Sequence, residues 1–409
     1  MLLLGSMLGR SASPEDTYRR LQVFTEVLAK IKGDYVEEPN MQTVTLGALN
    51  GLLESIDPYA SYLSADQYKQ YLKNRDSKRP NVGLILSRRF GYISIVSAIP
   101  GSPAGKAGLG TGDMIETINS VSTRDMPLAF ADVMFQGDNG STVEISALRF
   151  RKPEPQKITL TRAMIVYPVV TSKMLDGNIG YVQAQSLDSG KVKDVAAAVA
   201  ALDKQGAQKL VLDLRMCSAG QPEDGLTLAN LFLDKGQLGY LQGQKVSKKE
   251  FMADPAKTIF RKPMVVLTNR GTATAAEVAA AALLESKRAE VVGERSYGDA
   301  AVRKAITMED GAAVILSVAK YYGPNGKAIQ DTGVTPSVPQ AELEPTVEGD
   351  DQEAIAAEAD KKKSGEDPVL KKGLEVLTNG KPESKQAGAN RKKDDSTPAM
   401  NPLNIPKPR

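Results

Sequence analysis

The feature that most constrains the fold is an apolar strand pattern that runs through a short turn into an alanine-rich helix. Met264–Leu267 is wholly apolar, Asn269-Arg270-Gly271 is typical of a turn, and alanine dominates residues 273–286. Short apolar runs of this kind are typical of strands that are covered on both faces by helices. Such a strand-to-helix turn exposes one side chain above the helix N-terminus, a common seat for a nucleophile. The pattern predicts an α/β core with a site near residue 274.

The same alternation continues on both sides of this turn. Strand patterns at 179–182, 210–214, 264–268, 290–293 and 312–318 alternate with helical patterns at 189–204, 222–234 and 273–286. This order predicts a sheet covered by helices over residues 167–340. Residues 14–79 are predicted to be helical, because apolar residues recur at helical spacing at Leu21, Phe24, Val27, Leu28 and Ile31.

The two ends of the chain differ from this pattern. Residues 341–409 are rich in Glu, Asp, Lys and Pro, which predicts a charged, mostly disordered tail. One helix is expected within it, at 367–377, and the tail as a whole is expected to be dispensable for folding. Residues 1–13 hold a short apolar run, interpreted as a truncated signal or membrane anchor, with a disordered N-terminus as the alternative. The anchor interpretation predicts export to the periplasm or cell envelope.

Residues 80–166 contain short strand patterns separated by glycine turns. The strings "GSPAGKAGL" (101–109) and "GDMIETIN" (112–119) resemble those of a PDZ domain. The resemblance implies a carboxylate-binding loop at Val82-Gly83-Leu84-Ile85, continued by Leu86, with a helix at 127–135 as the opposite groove wall. Such a groove binds an extended peptide by its C-terminal carboxylate. The alternative is a PDZ domain that serves only for packing.

Composition excludes several classes of function. The 409 residues include no His and one Cys, and the net charge is +3. These values argue against His-based triads and most metal sites, and no basic aromatic patch indicates nucleic acid. No metal or cofactor is therefore expected.

Residues 20–340 resemble the carboxyl-terminal processing peptidases, which use a Ser/Lys dyad. The resemblance rests on five strings that occur in the order typical of that family: "LLESIDPYASYL", "LVLDLRMCSAG", "VVLTNRGTATAAE", "VVGERSYG" and "YYGPNGKAIQDTGVTP". It implies an α/β (α+β) peptidase-like core with an inserted PDZ domain and N-terminal helices.

The resemblance also locates the catalytic positions, and these are substituted. The nucleophilic Ser of the family corresponds to Thr274, the general-base Lys to Asp299, and a supporting Gln to Arg303. The oxyanion loop corresponds to Ala219 and Gly220. The extra methyl of Thr crowds the attack path, and an Asp with an ordinary pKa near ~4 is a poor base for a hydroxyl. These substitutions predict a pseudoprotease.

Several structural and functional alternatives stay open at this stage. Thr274 is expected chiefly to cap its helix, and Asp299 to lie in a solvated turn or a surface ion pair, with Arg303 as its partner. Cys217, Lys287 and Lys304 are weaker candidates for a relocated nucleophile or base.

Three functions compete. In the first, the chain binds polypeptide C-termini or a protease partner without cutting. In the second, it is an active serine-type peptidase with a divergent site. In the third, it is a structural subunit that assembles with itself or with an active paralogue.

Overall fold

The computed structural model describes residues 14–75, 79–89, 91–124, 126–149, 154–188, 190–342 and 367–379. The helices are α1 (Pro14–Asp34), α2 (Met41–Glu54), α3 (Ala65–Arg75), α4 (Pro103–Lys106), α5 (Leu128–Phe135), α6 (Lys191–Lys204), α7 (Pro222–Asn230), α8 (Ala275–Glu285) and α9 (Pro368–Asn379). A 3-10 turn covers Pro255–Lys257. Within these described ranges, every helix is too short or too polar to cross a membrane.

Within the part of the chain that the structure describes, seventeen strands form three sheets. They are β1 (Ser61–Leu63), β2 (Leu84–Arg89), β3 (Tyr92–Ala98), β4 (Met114–Ile118), β5 (Val121–Ser122), β6 (Thr142–Leu148), β7 (Gln156–Thr161), β8 (Thr171–Leu175), β9 (Ile179–Gln183), β10 (Lys209–Asp213), β11 (Gln237–Gln242), β12 (Lys249–Met252), β13 (Met264–Thr268), β14 (Glu290–Gly293), β15 (Ala301–Thr307), β16 (Ala313–Tyr322) and β17 (Val338–Pro339).

The central sheet positions the candidate site. Its strand order is β17-β14-β13-β10-β9-β8, in which only β8 is antiparallel to its neighbour. Strands β10 and β13 lie side by side in parallel, with Asp213 opposite Leu267. Because adjacent parallel strands end at the same edge, the loops that follow them meet there. The predicted α/β core is confirmed, and both predicted site loops lie at this edge.

A second sheet supports the site from another side. Its order is β1-β16-β11-β12, and β15 pairs with β16 in an antiparallel hairpin. Strand β1 comes from the N-terminal region and pairs with β16, with Ser61 opposite Ile315. Arg303 lies on β15, so this sheet brings one substituted family position close to the N-terminal region.

The third sheet belongs to the inserted domain and has the order β2-β3-β4-β6-β7. Its core is built from fully buried isoleucines at 93, 95, 115 and 145, with Phe135 of α5 packed against them. Strand β2 is an edge strand, and α5 lies beside it. The predicted groove helix at 127–135 is confirmed.

Helix α9 corrects one prediction about the C-terminal tail. The predicted short helix forms, but it docks on the central sheet, where Val369 and Val376 are buried and Gly373 lies against Leu267. Asp367, just before α9, accepts hydrogen bonds from the Arg215 guanidinium at 2.9 and 2.7 Å. The prediction that everything beyond 341 is dispensable is therefore wrong for α9. The rest of that predicted tail, and the predicted anchor at 1–13, lie outside the described residues.

Candidate active site

Thr274 occupies a strained turn at the start of α8. Its backbone angles are φ 51° and ψ −117°, a region that L-residues avoid and that is especially unfavourable for a β-branched side chain. Such a conformation costs on the order of 1–3 kcal/mol and persists only when its surroundings enforce it. Here the Thr272 hydroxyl donates to the carbonyl of Leu214 at 2.9 Å, and the Ala273 N–H to that of Cys217 at 2.9 Å. The predicted strand-turn-helix elbow is confirmed.

The loop after β10 lies against this elbow. The Thr274 hydroxyl donates to the carbonyl oxygen of Ser218 at 3.0 Å. Next to it, the carbonyl of Ala219 accepts the N–H of Leu187 at 2.9 Å. Gly220 has φ 126°, and a Cβ placed there would lie 3.2 Å from the Cβ of Ala275. The structure thus brings the predicted oxyanion-loop residues next to residue 274.

A residue that sequence reasoning did not single out, Glu277, holds the site together. Its buried carboxylate accepts the N–H of Thr274 at 3.2 Å and of Asp299 at 2.8 Å through Oε2. Through Oε1 it accepts the N–H of Gly298 at 2.6 Å and the hydroxyl of Ser296 at 2.5 Å. One carboxylate therefore joins the two predicted site positions, 274 and 299. The Thr-x-x-Glu spacing, a capping-box signal, could have identified it.

Burial is the main influence on the pKa of the Glu277 carboxylate. It raises the pKa of Glu277 to about 7, although the hydrogen bonds from Ser296, Asp299 and Gly298 favour the ionised form. A group with this pKa changes its charge near neutrality in the folded protein.

Asp299 forms an ion pair with Arg303, as the sequence predicted. The expectation that Asp299 is solvated is wrong, because the residue is only 6% exposed. The Arg303 guanidinium also lies 3.9 Å from the ring centroid of Tyr59, a geometry that favours cation–π attraction. Burial lowers the pKa of Arg303, but Asp299, followed by Tyr59 and Asp57, together raise it above its usual value. The Asp299 carboxylate is thus paired with a cation that Tyr59 helps to hold in place.

The three weaker candidates for a relocated nucleophile or base are not positioned to act in the site. Cys217 is completely buried, and its burial, followed by the nearby Asp213 carboxylate, raises the pKa of the thiol. Lys287 lies exposed beyond the far end of α8, and Lys304 points from β15 with an exposed side chain. A relocated base therefore finds no support in these three residues.

The inserted domain contains a cleft of about 350 Å³ between β2 and α5. Val82, Leu84 and Ile85 of the predicted carboxylate-binding loop line it, and Asp132 of α5 faces them. Gly83 has φ 78°, and its N–H donates to the side chain of Asn81 at 2.7 Å. Leu86 differs from the prediction, because it packs in the domain core.

Asp132 is the acidic residue of this cleft. Although its side chain meets the open cleft, the surrounding protein desolvates it and raises its pKa to about 7, while Arg303 acts in the opposite direction. The cleft is thus apolar along β2 and carries the acidic Asp132 on α5 and the basic Arg75 on α3.

Comparison with known proteins agrees with both parts of the molecule. The model of Peptidase family S41 matches residues 178–340, and a PDZ domain model matches residues 94–149. The chain is 34% identical over 340 residues to carboxy-terminal processing protease CtpA of Bacillus subtilis, covering 83% of this chain and 72% of the relative. It is 30% identical over 329 residues to the carboxy-terminal-processing protease of Bartonella bacilliformis, covering 79% and 76%.

A solved structure shows the same fold. The photosystem II D1 C-terminal processing protease superposes with a TM-score of 0.65 at 27% identity, covering 84% of this chain and 92% of that one. Together with the 34% identity to the Bacillus relative over most of both proteins, this places the chain in the family of carboxyl-terminal processing proteases with a PDZ domain, within peptidase family S41.

Proposed function

We propose that this protein is a pseudoprotease that binds polypeptide C-termini without cutting them. The observation that carries the proposal is the ion pair between Asp299 and Arg303 at the family's general-base position. The dyad needs a neutral amine that takes a proton from the nucleophile, and burial normally provides it by lowering the pKa of a Lys. Here that position holds a carboxylate that is engaged by a guanidinium, and it offers no neutral amine to take the proton.

The hydrogen bonding of Thr274 supports the same conclusion. Its hydroxyl donates to the carbonyl oxygen of Ser218, an amide oxygen that cannot accept the proton itself. Attack by the hydroxyl would require both a base and a rotation of the side chain about χ1. The additional methyl group of Thr restricts that turn, because χ1 of a β-branched residue is stiff.

The binding role draws on the cleft of the PDZ domain. The outer edge of β2 lies beside α5, which is the arrangement that lets an extended peptide add a strand. Leu84 and Ile85 offer apolar contacts for the last side chains of such a peptide. The ligand is therefore proposed to be a polypeptide with a free carboxylate and apolar C-terminal residues.

Proteolysis of an unfolded protein tests the absence of activity. Purified protein is incubated with a denatured substrate beside a Thr274→Ala variant prepared in the same way. We expect the two to leave the substrate equally intact. Fragments that the wild-type protein produces and the Thr274→Ala variant does not would overturn the proposal.

A titration with labelled peptides tests binding. We expect a peptide with a free C-terminus to bind more tightly than its amidated form, and Ile85→Asp to abolish the difference. Equal affinity for both forms of the peptide would contradict carboxylate recognition. Leu53→Ala, in the N-terminal helical region, serves as a control for a general loss of stability.

One observation favours the alternative of an active enzyme with a divergent site. The strained backbone at Thr274 is retained, and this strain is typical of positions where chemistry takes place. The proteolysis comparison separates this alternative from the pseudoprotease.

A third role, as a structural subunit beside an active paralogue, is the remaining alternative. We also propose that the protein is exported to the cell envelope. Co-purification from membrane and soluble fractions tests both.

A further inference from the structure

The cleft of the PDZ domain has one wall that the PDZ domain itself does not supply. Tyr71 and Arg75 of α3, in the N-terminal helical region, line the cleft together with the loop at Val82 and with α5. The two residues are four positions apart, so they lie on the same face of their helix. Helix α3 packs beside α5, which brings this face to the cleft. A peptide in the cleft would therefore meet two separate regions of the chain.

The carboxylate-binding loop has a donor that is already in use. The N–H of Gly83 donates to the side-chain oxygen of Asn81 at 2.7 Å. This amide is one of those that the resemblance to PDZ domains assigns to the peptide carboxylate. A carboxylate can accept about four hydrogen bonds. A bound carboxylate must therefore displace the Asn81 side chain or take part of its hydrogen bonds from outside the loop.

The acidic side chain on α5 also calls for a cation in the cleft. Asp132 lines the cleft together with the loop residues. Two ionised carboxylates that share a site repel each other. Arg303 attracts Asp132, but its guanidinium is paired with Asp299. A positive charge on the cleft itself would offset the repulsion between Asp132 and a peptide carboxylate.

Arg75 carries that positive charge. Among the described residues that line the cleft, it is the only basic one, and its side chain is exposed. The chain that leads from α3 into the loop is tied back to the helix, because Arg79 donates to the Asn74 side chain at 2.6 Å. A guanidinium presents paired N–H groups whose geometry matches the two oxygens of a carboxylate.

We propose that Arg75 binds the C-terminal carboxylate of the polypeptide in the cleft, so that the N-terminal helical region and the PDZ domain form the peptide site together. This inference rests on the proposed function, because it assigns a partner to the carboxylate of the proposed ligand.

Titration of the full chain with one peptide, in its free and its amidated form, tests the role of Arg75. We expect Arg75→Gln to weaken binding of the free form about tenfold, the typical effect of a hydrogen bond to a charged group. Binding of the amidated form should not change, which also shows that the variant is folded. Lys73→Gln is the matched control, because it removes the same charge from an exposed position of α3 outside the cleft. It should leave both affinities unchanged.

The outcomes separate this inference from the proposed function. If the wild-type protein binds both forms equally, carboxylate recognition is absent, and the proposed function fails together with the inference. If the wild-type protein prefers the free form and Arg75→Gln keeps the full preference, only the role of Arg75 is refuted. An equal loss for both forms would also refute that role, since Arg75 would then affect the cleft and not the carboxylate.

Covalent labelling provides a second measurement that does not depend on charge. Cys217 is buried, so a cysteine introduced at position 75 or 73 is the accessible thiol of its variant. We expect a peptide with a bromoacetyl group on its last side chain to modify Arg75→Cys faster than Lys73→Cys. An excess of unmodified peptide should abolish this difference. Equal rates without that excess would place the end of the peptide away from Arg75 and refute the proposal.

Discussion

Replacement of Val369 by Ala tests whether α9 is part of the folded core. Val369 is completely buried between α9 and the central sheet, where it lies close to Gly293 and shares a cluster with Leu267. Its location makes it a sensitive reporter of α9 docking. The same change tests whether part of the C-terminal tail, which composition alone predicts to be disordered, contributes to stability.

The expected cost follows from the groups that are lost. Two methyl groups at ~0.8 kcal/mol each give about 1.6 kcal/mol of transfer free energy. A residual cavity of roughly 40 Å³ at ~24 cal/mol per Å³ adds about 1 kcal/mol. Ala is the better helix former by roughly 0.5 kcal/mol, so about 2 kcal/mol remains. Domains of roughly 150–250 residues, such as the α/β core, lose about 2–4 °C per kcal/mol, so the melting temperature should fall by about 4–8 °C.

Thermal unfolding followed by circular dichroism measures this change. Glu375→Ala is the matched control, because Glu375 lies on the same helix with an exposed side chain. We expect the control to change the free energy of unfolding by less than about 0.5 kcal/mol. If Val369→Ala has the same melting temperature as Glu375→Ala and the wild-type protein, α9 does not dock as described, and the reasoning fails.

Two further predictions concern the substituted site and the cleft. The combined variant Thr274→Ser/Asp299→Lys/Arg303→Gln/Ala219→Gly should cut an unfolded substrate slowly, because it restores the nucleophile, base and oxyanion loop, whereas each single change should do almost nothing. Cleavage that survives Ala at 274 in this background would mean that another site is responsible. Peptide affinity should weaken roughly fivefold as the pH rises from about 6 to 8, because Asp132 is neutral below its raised pKa and, once ionised, repels a peptide carboxylate by about 1 kcal/mol. Titrations of Asp132→Asn should show no such pH dependence; an unchanged dependence would assign it to another group.

The elements of the core could be predicted because their sequence patterns are local. The apolar runs of β10 and β13 and the alanines of α8 determine strand and helix with little help from distant residues. The hairpin of β11 and β12 was not predicted, because exposed, polar strands such as Lys249–Met252 lack a clear period. Helix α9 was predicted as a helix, but its docking depends on a sheet face that only the folded chain creates.

The sequence predicted candidate site positions and one short-range contact among them, but not the long-range contacts. Thr274, Asp299 and Arg303 follow from aligned strings, and the ion pair followed from their spacing. The stacking of Arg303 on Tyr59 joins residues far apart in sequence, so no local pattern announces it. The contact between the hydroxyls of Tyr297 and Ser87, which joins the core to the PDZ domain, is equally long-range.

The unfavourable backbone of Thr274 bears on how this chain can evolve. Its hydrogen-bonded neighbours, Glu277 above all, maintain the elbow whatever side chain occupies it. Substitutions at positions 274 and 299 therefore change side chains without having to remodel the main chain. The repair variant predicted above therefore depends on Glu277 as much as on the four positions that it changes, because Glu277 holds the backbone on which those side chains stand.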